Sequence, residues 1–289
     1  EATGLMNANP TGISFYIKNL LLNLMDINAD VKLYCKISRY KNRHNLLKHI
    51  NAKINWHYNH LYNPLKKVDI AHTTDSAFLN LRAAAKIYTI YDLAVFREET
   101  QIPDYTSERH KRIIDQKTKA FLKKADGVIA ISKVTKNDIL RFYDFPEDKI
   151  RVIPLAPNKI EESTKKEIDL KFHQLEKNAY FLFVGQISIR KNIINLLKAF
   201  LLSGLHSDYK LVLAGMEGRG IEIIKEAILE LGLNERVELL NYIPDESLSS
   251  LYENAVGFVF PTFYEGFGIP ILEAMMNRTP VLSGNIGEI

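Results

Sequence analysis

The sequence predicts an α/β protein of two domains, each built from β-α units around a parallel sheet. Short apolar, strand-like runs alternate with helical stretches along the whole chain, which is typical of parallel sheets. A proline-bracketed segment, Pro154–Pro157, and the charged run Lys159–Lys177 interrupt this alternation near the middle. The chain has 289 residues, 46% of them hydrophobic and 25% charged, which is enough for two domains of ordinary size.

The first domain is predicted to span residues 1–157. It opens with a glycine-containing segment that leads into a helix, and five apolar runs follow, each bounded by helix or turn signals. The predicted strands are Val31–Cys35, Ile70–His72, Ile87–Ile90, Gly127–Ile131 and Arg151–Ile153. Between the last two, Ser132 is predicted to cap a helix, since its hydroxyl can accept from the first turn.

The second domain is predicted to span residues 158–289. A helix at Ile193–Leu202 follows its first strand. The predicted strands are Tyr180–Gly185, Lys210–Gly215, Val237–Leu240, Val256–Phe260 and Thr279–Leu282. Ligands of doubly wound sheets bind beyond the carboxyl ends of the strands, so two such domains facing each other would enclose a cleft.

Composition narrows the class of protein. The one cysteine, Cys35, excludes an internal disulfide framework and favours a reducing compartment, so we expect a cytoplasmic protein. No apolar run approaches the roughly 20 residues of a membrane span. The net charge is +4, and its excess lies early, at Lys32, Lys36, Arg39, Lys41, Arg43, Lys48, Lys53, Lys66 and Lys67. A cluster of basic side chains like this one is usually only a solvated surface. The alternative is peripheral contact with an anionic membrane. No nucleic-acid-binding motif accompanies the cluster.

Two carboxylates flank a glycine-rich turn near the end of the chain. Glu265 follows the strand Val256–Phe260, which reads as fully buried, and Glu273 is expected in the first turn of the next helix. The amides between them can donate to phosphate or hydroxyl oxygens, and Glu273 can accept from a diol. These amides belong to Gly266, Phe267 and Gly268. Two acceptors around a donor cradle suit a polyol such as the sugar of a nucleotide sugar.

This segment resembles the Glu-x7-Glu motif of the retaining GT-B glycosyltransferases of family 4, and the resemblance covers nearly the whole chain. It implies the GT-B fold, two Rossmann-like domains facing across a cleft, and transfer of a sugar from a nucleotide diphosphate to an acceptor. By the resemblance, Glu265 and the amides after it hold the donor sugar, and Glu273 holds the ribose. Relatives begin before Ala2 and continue past Ile289, so we expect this chain to be truncated at both ends and its second domain to be incomplete.

A second motif, Val184–Asn192, follows the first strand of the second domain and includes two cations, Arg190 and Lys191. Cations there can neutralise a diphosphate, and the resemblance assigns donor-phosphate contact to Lys191 and donor binding to Gly185. Many relatives carry an additional Arg directly after the glycine, where this chain has Gln186. Either Arg190 substitutes for it or phosphate binding is weaker.

Three further assignments come from the resemblance. The amides near Gly12 are expected to approach the donor phosphates, and Ile243 lies where relatives meet the base. Relatives usually carry His-Asp-Leu where this chain has Tyr91, Asp92 and Leu93. A tyrosine is not a base near neutral pH, so a mechanism that needs an imidazole there is in doubt.

The sequence therefore predicts a metal-independent glycosyltransferase of bacterial surface polysaccharide or lipopolysaccharide biosynthesis, with a nucleotide sugar and a glycan or lipid-linked acceptor as partners. The expected catalytic residues are Glu265, Lys191, Arg190, Tyr91 and Asp92. No cofactor is expected, and no metal site either, because His57 and His60 lack a third ligand at suitable spacing. Two alternatives stay open: a GT-B sugar-nucleotide epimerase, and a non-catalytic module that binds nucleotide sugars.

Overall fold

A computed structural model describes residues 3–6, 11–42, 54–57, 63–74, 81–97, 107–157, 166–170 and 175–285. Several features singled out in the sequence lie outside these residues, namely Ala2, Arg43, Lys48, Lys53, His60 and most of the run from 158 to 174. The chain divides into two compact units, Glu1–Leu93 with Arg112–Leu155 and Ala94–Lys111 with Ala156–Ile289. The boundary predicted between residues 157 and 158 stays a prediction.

The first unit contains two parallel sheets. A four-stranded sheet has the order β3-β4-β5-β6, and β1 pairs with β2. The strands are β1 (Leu33–Lys36), β2 (Ile54–His57), β3 (Asn63–Thr73), β4 (Leu81–Ile90), β5 (Gly127–Ala130) and β6 (Ile150–Val152). The helices are α1 (Gly12–Asp26), α2 (Glu108–Leu122), which enters this unit at Arg112, and α3 (Lys133–Phe142).

The structure differs from the prediction at three strands of this unit. The sequence did not predict β2, because alternation over four residues cannot be told from chance. It also made β3 and β4 too short, since these strands begin at Asn63 and Leu81 rather than at Ile70 and Ile87. The cap on α3 is as predicted: Ser132 has extended backbone angles, and its Oγ accepts from Thr135 N at 2.9 Å.

The second unit holds a five-stranded parallel sheet. Its order is β11-β10-β7-β8-β9, so the chain moves outward from β7 to β9 and then returns to the other side of β7. The strands are β7 (Tyr180–Val184), β8 (Lys210–Ala214), β9 (Val237–Leu240), β10 (Gly257–Phe260) and β11 (Val281–Ser283). The helices are α4 (Ile193–Leu202), α5 (Ile221–Glu230), α6 (Asp245–Glu253) and α7 (Ile269–Met276). The reversal of direction lies between β7 and β10.

The apolar core of the second unit fixes the ends of β7 and β10. All four residues of β10 are buried, as the sequence predicts, and the rings of Phe183, Phe258 and Phe260 stack on one another. The helix α4 buries Ile193 and Leu197 completely against this sheet. Each such side chain contributes about 1.5–3 kcal/mol, so the loops leaving these strands start from rigid positions. No helix among the described residues has the length and apolar character needed to cross a membrane.

Candidate functional site

The candidate site lies where β7 and β10 end. The two strands are parallel neighbours, so their carboxyl ends meet at one edge of the sheet, at the point where the strand order reverses. Crevices at such points are where doubly wound sheets bind ligands. The loop Gly185–Asn192 leaves β7 there, and the loop Pro261–Gly268 leaves β10 beside it.

Asn192 joins these two loops. It adopts a left-handed backbone conformation, with φ at 61°, which ends the turn at Ile189–Lys191 and begins α4. Its side-chain Nδ2 donates to the carbonyl oxygen of Pro261 at 3.0 Å. Asparagine tolerates this conformation better than most residues, so one residue both turns the chain and braces the facing loop.

Glu265 accepts three hydrogen bonds through one oxygen. Lys191 Nζ forms a close ion pair with Oε1, Arg190 Nη1 lies 3.3 Å from it, and Thr262 Oγ1 donates to it at 3.0 Å. The side chains of Lys191 and Glu265 are 8% and 15% exposed, so water screens this pair poorly. No described residue donates to Oε2. The carboxylate is thus oriented by one oxygen and can accept a ligand hydroxyl with the other.

The surroundings keep Glu265 ionised. Burial alone would raise the pKa of its carboxyl, but the charges of Lys191 and Arg190 and the hydrogen bonds from Lys191 and Thr262 outweigh burial and lower it. Lys191 also lies over the ring of Phe260, with Nζ 5.3 Å from the ring centre. The site therefore holds one buried anion against two cations at neutral pH.

The turn after Glu265 presents backbone donors. Gly266 and Gly268 are buried, and Gly268 has φ at 94°, a conformation that favours glycine. No described residue accepts a hydrogen bond from the amides of Gly266, Phe267 or Gly268. These amides lie at the amino end of α7, where the helix dipole also favours an anion. The arrangement can hold phosphate or hydroxyl oxygens.

Glu273 differs in position from the prediction. Because α7 begins at Ile269, Glu273 lies in the second helical turn and not the first. Its Oε2 accepts a hydrogen bond from the hydroxyl of Tyr252, on α6, at 3.1 Å. Burial and the charge of Asp245 raise the pKa of Glu273 to about 7, although the Tyr252 hydrogen bond opposes them.

The three glycines after β8 pack against the loop after β7. A side chain at Gly215 would place its Cβ 2.0 Å from the carbonyl oxygen of Gly185, and one at Gly218 would meet Gln186. Backbone hydrogen bonds join the two loops, including Ile187 N to the Met216 carbonyl oxygen at 3.0 Å. Close packing of the two loops accounts for these glycines.

The first unit contains the remaining predicted catalytic residues. The Tyr91 hydroxyl donates to the carbonyl oxygen of Thr74 at 2.7 Å, and the ring of Tyr16 meets the Tyr91 ring edge-on at 5.5 Å. Asp92 follows and is exposed. Gly12 is the first residue of α1, and Thr11 caps this helix by accepting from Ser14 N. The first turns of α1 and the end of β4 thus come together in this unit.

Two other predicted assignments are less constrained by the structure. Ile243 follows β9, is half-buried and packs against the core of the second unit. Among the described residues, no group of three or more His, Cys, Asp or Glu could hold a metal ion. The side chain of His57 and the whole of His60 lie outside the described part of the chain, and metal independence stays a prediction.

Sequence reasoning missed three side chains that shape the site. They are Thr262, which orients Glu265, Asn192, which braces the loops, and Tyr252, which contacts Glu273. A position two residues after a buried strand was a usable sequence signal for Thr262. No sequence signal pointed to Tyr252, because its contact with Glu273 depends on how α6 packs beside α7.

Comparisons with known proteins address the family. The sequence profile of Glycosyltransferase Family 4 matches residues 11–156, and that of Glycosyl transferases group 1 matches residues 165–289. O-antigen chain mannosyltransferase B of Escherichia coli is 32% identical over 218 residues, which are 73% of this chain and 56% of that protein. O-antigen chain mannosyltransferase RfbU of Salmonella typhimurium is 31% identical over 169 residues, 58% of this chain and 44% of that protein. The chain spans about half the length of these curated relatives.

Solved structures establish the fold. Sucrose-phosphate synthase from Thermosynechococcus elongatus superimposes with a TM-score of 0.69 at 19% identity, over 99% of this chain and 80% of that one. HepE of Anabaena, in complex with UDP and glucose, gives 0.64 at 16% identity, over 97% and 79%. With its parallel sheets in two Rossmann-like units, the chain has the GT-B fold. Since the family profile covers half of its sequence, the chain belongs to glycosyltransferase family 4.

Proposed function

We propose that this protein transfers a sugar from a nucleotide-diphosphate sugar to an acceptor, with retention at the anomeric carbon. The observation that carries the proposal is the cluster of Lys191, Arg190 and Glu265 at the point where the strand order of the second sheet reverses. It combines cations for a diphosphate with an oriented carboxylate for a hydroxyl.

The cations serve the leaving group. Negative charge grows on the diphosphate as the anomeric C–O bond breaks, and preorganised donors stabilise that charge without the reorganisation that water would need. Lys191 and Arg190 both pair with Glu265, and Arg190 also donates to the carbonyl oxygen of Tyr264. In this proposal the positive charges of these two side chains stabilise the phosphates, and the amides of Gly266, Phe267 and Gly268 contact the phosphates and the sugar. Gly185 lets the backbone pass close by.

Glu265 and Glu273 would bind hydroxyl groups of the nucleotide sugar. The oxygen Oε2 of Glu265 would accept from the donor sugar, since Oε1 is already held by three groups. Glu273 would accept from the ribose diol, and Ile243 would lie against the base. Because burial raises the pKa of Glu273 to about 7, a diol binds it best above neutral pH.

The acceptor half is assigned to the first unit. We propose donor binding for Gly12 and a part in catalysis for Tyr91 and Asp92. The Tyr91 hydroxyl already donates to Thr74, so we do not assign it the role of base. Same-face attack, in which the leaving phosphate takes the acceptor proton, needs no imidazole at this position and gives retention.

The setting follows from the relatives. Two of them are named O-antigen chain mannosyltransferases, and a Staphylococcus aureus relative, 30% identical over 169 residues, is named a capsular polysaccharide biosynthesis glycosyltransferase. We therefore propose a glycan or lipid-linked acceptor in bacterial surface polysaccharide biosynthesis.

We also propose that the protein acts in the cytoplasm, in peripheral contact with an anionic membrane. Of the basic residues that suggest this contact, Lys32 and Lys41 have described side chains, and both are exposed. Exposed apolar side chains, Met25 and Ile27, lie near them in sequence, at the end of α1. Flotation with vesicles of phosphatidylcholine, with and without 30% phosphatidylglycerol, tests the contact. Equal binding to both vesicles would contradict an electrostatic role.

The first experiment is a calorimetric titration of the chain with UDP-, GDP- and ADP-sugars. We expect one base to bind selectively, and both Lys191→Ala and Glu273→Ala to abolish that binding. The matched control is Lys210→Ala, because Lys210 also pairs with a glutamate, Glu238, at 2.7 Å, but at the start of β8. Absence of binding by all three nucleotide sugars, or equal loss in Lys210→Ala, would contradict the proposed donor site.

A further inference from the structure

Arg97 contacts the loop that carries Glu265. It follows the short turn Ala94–Phe96 after β4 and belongs to the second unit. Its guanidinium carbon lies 5.2 Å from the centre of the Tyr264 ring, which is within cation–π distance. Tyr264 is only 6% exposed, so its ring is held in place.

A second arginine holds the same residue at its other end. Arg190 Nη1 donates to the carbonyl oxygen of Tyr264 at 2.8 Å and lies 3.3 Å from Oε1 of Glu265. The ring and the carbonyl group of Tyr264 are thus both bound by guanidinium groups. Glu265 is the next residue, so the position of Tyr264 fixes where the backbone of Glu265 begins, and the three donors to Oε1 then orient its carboxylate.

We propose that Arg97 is a positioning residue for Glu265, which it controls by fixing Tyr264 between two arginines. This inference rests on the proposed function, because it assigns Arg97 to recognition of the donor sugar. Arg97 does not touch the sugar in this scheme. It keeps Oε2 aimed at one hydroxyl, and a displacement of about 1 Å is enough to weaken such a contact.

The chemistry of the contact favours arginine over lysine. A guanidinium is planar and stacks on a ring face, whereas an ammonium is a compact, strongly hydrated charge on a flexible stem. Arg97→Lys therefore keeps the charge and removes the flat contact. Arg97→Met removes the charge and keeps most of the apolar stem. If Arg97 positions Glu265, both variants should weaken recognition of the donor sugar to a similar extent.

The test separates the sugar from the rest of the donor. Calorimetry gives the affinity of each variant for UDP and UDP-glucose, and for GDP and GDP-mannose. The ratio of the two affinities within a pair measures what the sugar contributes. We expect Arg97→Lys and Arg97→Met to lower this ratio by about threefold to tenfold, with affinity for the free nucleotide unchanged within twofold. Glu265→Gln marks the full loss of the sugar contact.

Arg141→Lys is the matched control. Arg141 lies over the ring of Phe142 at the same 5.2 Å, but in the first unit. We expect this variant to keep the ratio of the unaltered chain, and thermal melting shows that each variant is folded. An unchanged ratio in both Arg97 variants, equal weakening of nucleotide and nucleotide sugar, or a ratio near one in the unaltered chain would overturn the inference.

The same data distinguish the inference from the function on which it rests. If the unaltered chain binds none of the nucleotides, the proposed function fails, and the inference fails with it. If Lys191→Ala abolishes binding while the Arg97 variants keep the ratio, the proposed function stands and only the assignment of Arg97 is wrong.

Discussion

Glu273 has a carboxyl group whose burial destabilises its ionised form. It lies between α6 and α7, accepts from the Tyr252 hydroxyl and lies near the charge of Asp245. Glutamine has nearly the same shape and stays neutral. We therefore expect Glu273→Gln to stabilise the protein at high pH, while replacing the charged acceptor proposed for the ribose by a neutral amide.

The magnitude follows from the two pKa values. The unfolded carboxyl ionises near 4.5, whereas burial raises the pKa in the folded state to about 7. Between these values the folded state binds more protons than the unfolded state, so the free energy of unfolding falls as pH rises, and it levels off above 7. The two pKa values differ by about 2.5, and at about 1.4 kcal/mol for each pH unit this gives roughly 3.5 kcal/mol.

Urea denaturation of the unaltered chain and of Glu273→Gln, at pH 4.5 and pH 8, measures this effect. We expect similar free energies of unfolding at pH 4.5 and an advantage of up to about 3.5 kcal/mol for the variant at pH 8. A difference between Glu273→Gln and the unaltered chain that stays constant with pH would refute the argument from burial.

Three further predictions concern the same sheet. Affinity of the unaltered chain for the nucleotide sugar should fall by about tenfold per pH unit below pH 7, because the diol needs the ionised carboxylate of Glu273, and the affinity of Glu273→Gln should not change with pH. Calorimetry at pH 6 and pH 8 measures both affinities. Parallel pH profiles would contradict the role of Glu273 in binding the ribose. Lys191→Met should lower the free energy of unfolding by about 3 kcal/mol and the double variant with Glu265→Gln by much less, since the single change leaves a buried charge poorly paired; equal losses in urea denaturation would count against the ion pair. Gly215→Ala should cost about 3 kcal/mol, because its φ is 141° and its Cβ would clash with a facing carbonyl. Gly232→Ala, with no atom within 4 Å of the added Cβ, should cost about 1 kcal/mol; similar losses at the two sites would contradict the predicted clash.

The sequence predicted the elements of the second sheet well. The strands of this parallel sheet are short apolar runs, and four of them are mostly buried, while β11 is largely exposed. All five were found within two residues of their observed bounds, and the helix Ile193–Leu202 matched. The cations Arg190 and Lys191 and the carboxylate Glu265 could be placed after strand ends for the same reason. A hydrophobic pattern identifies a helix or a strand because it shows which faces of that element are buried.

Contacts between elements were beyond the sequence. The hydrophobic pattern does not show that β10 returns to lie beside β7. Without this strand order, Lys191 and Glu265 are only two charged residues that are far apart in sequence. The partner of Glu273 depends on the packing of two helices, and the contact of Arg97 with Tyr264 depends on a segment that leaves β4. Each of these contacts follows from tertiary structure, which a short window cannot contain.

The return of β10 to β7 also has a consequence for folding. Lys191 and Glu265 are 74 positions apart, so their ion pair closes a loop that contains three strands and three helices of the second unit. Closing so long a loop is a non-local step, which slows folding more than the pairing of β7 with β8. A nascent chain that has not yet made β10 would hold Lys191 without its counter-charge. Nucleotide binding during refolding therefore reports the completion of the sheet rather than the formation of its first strands.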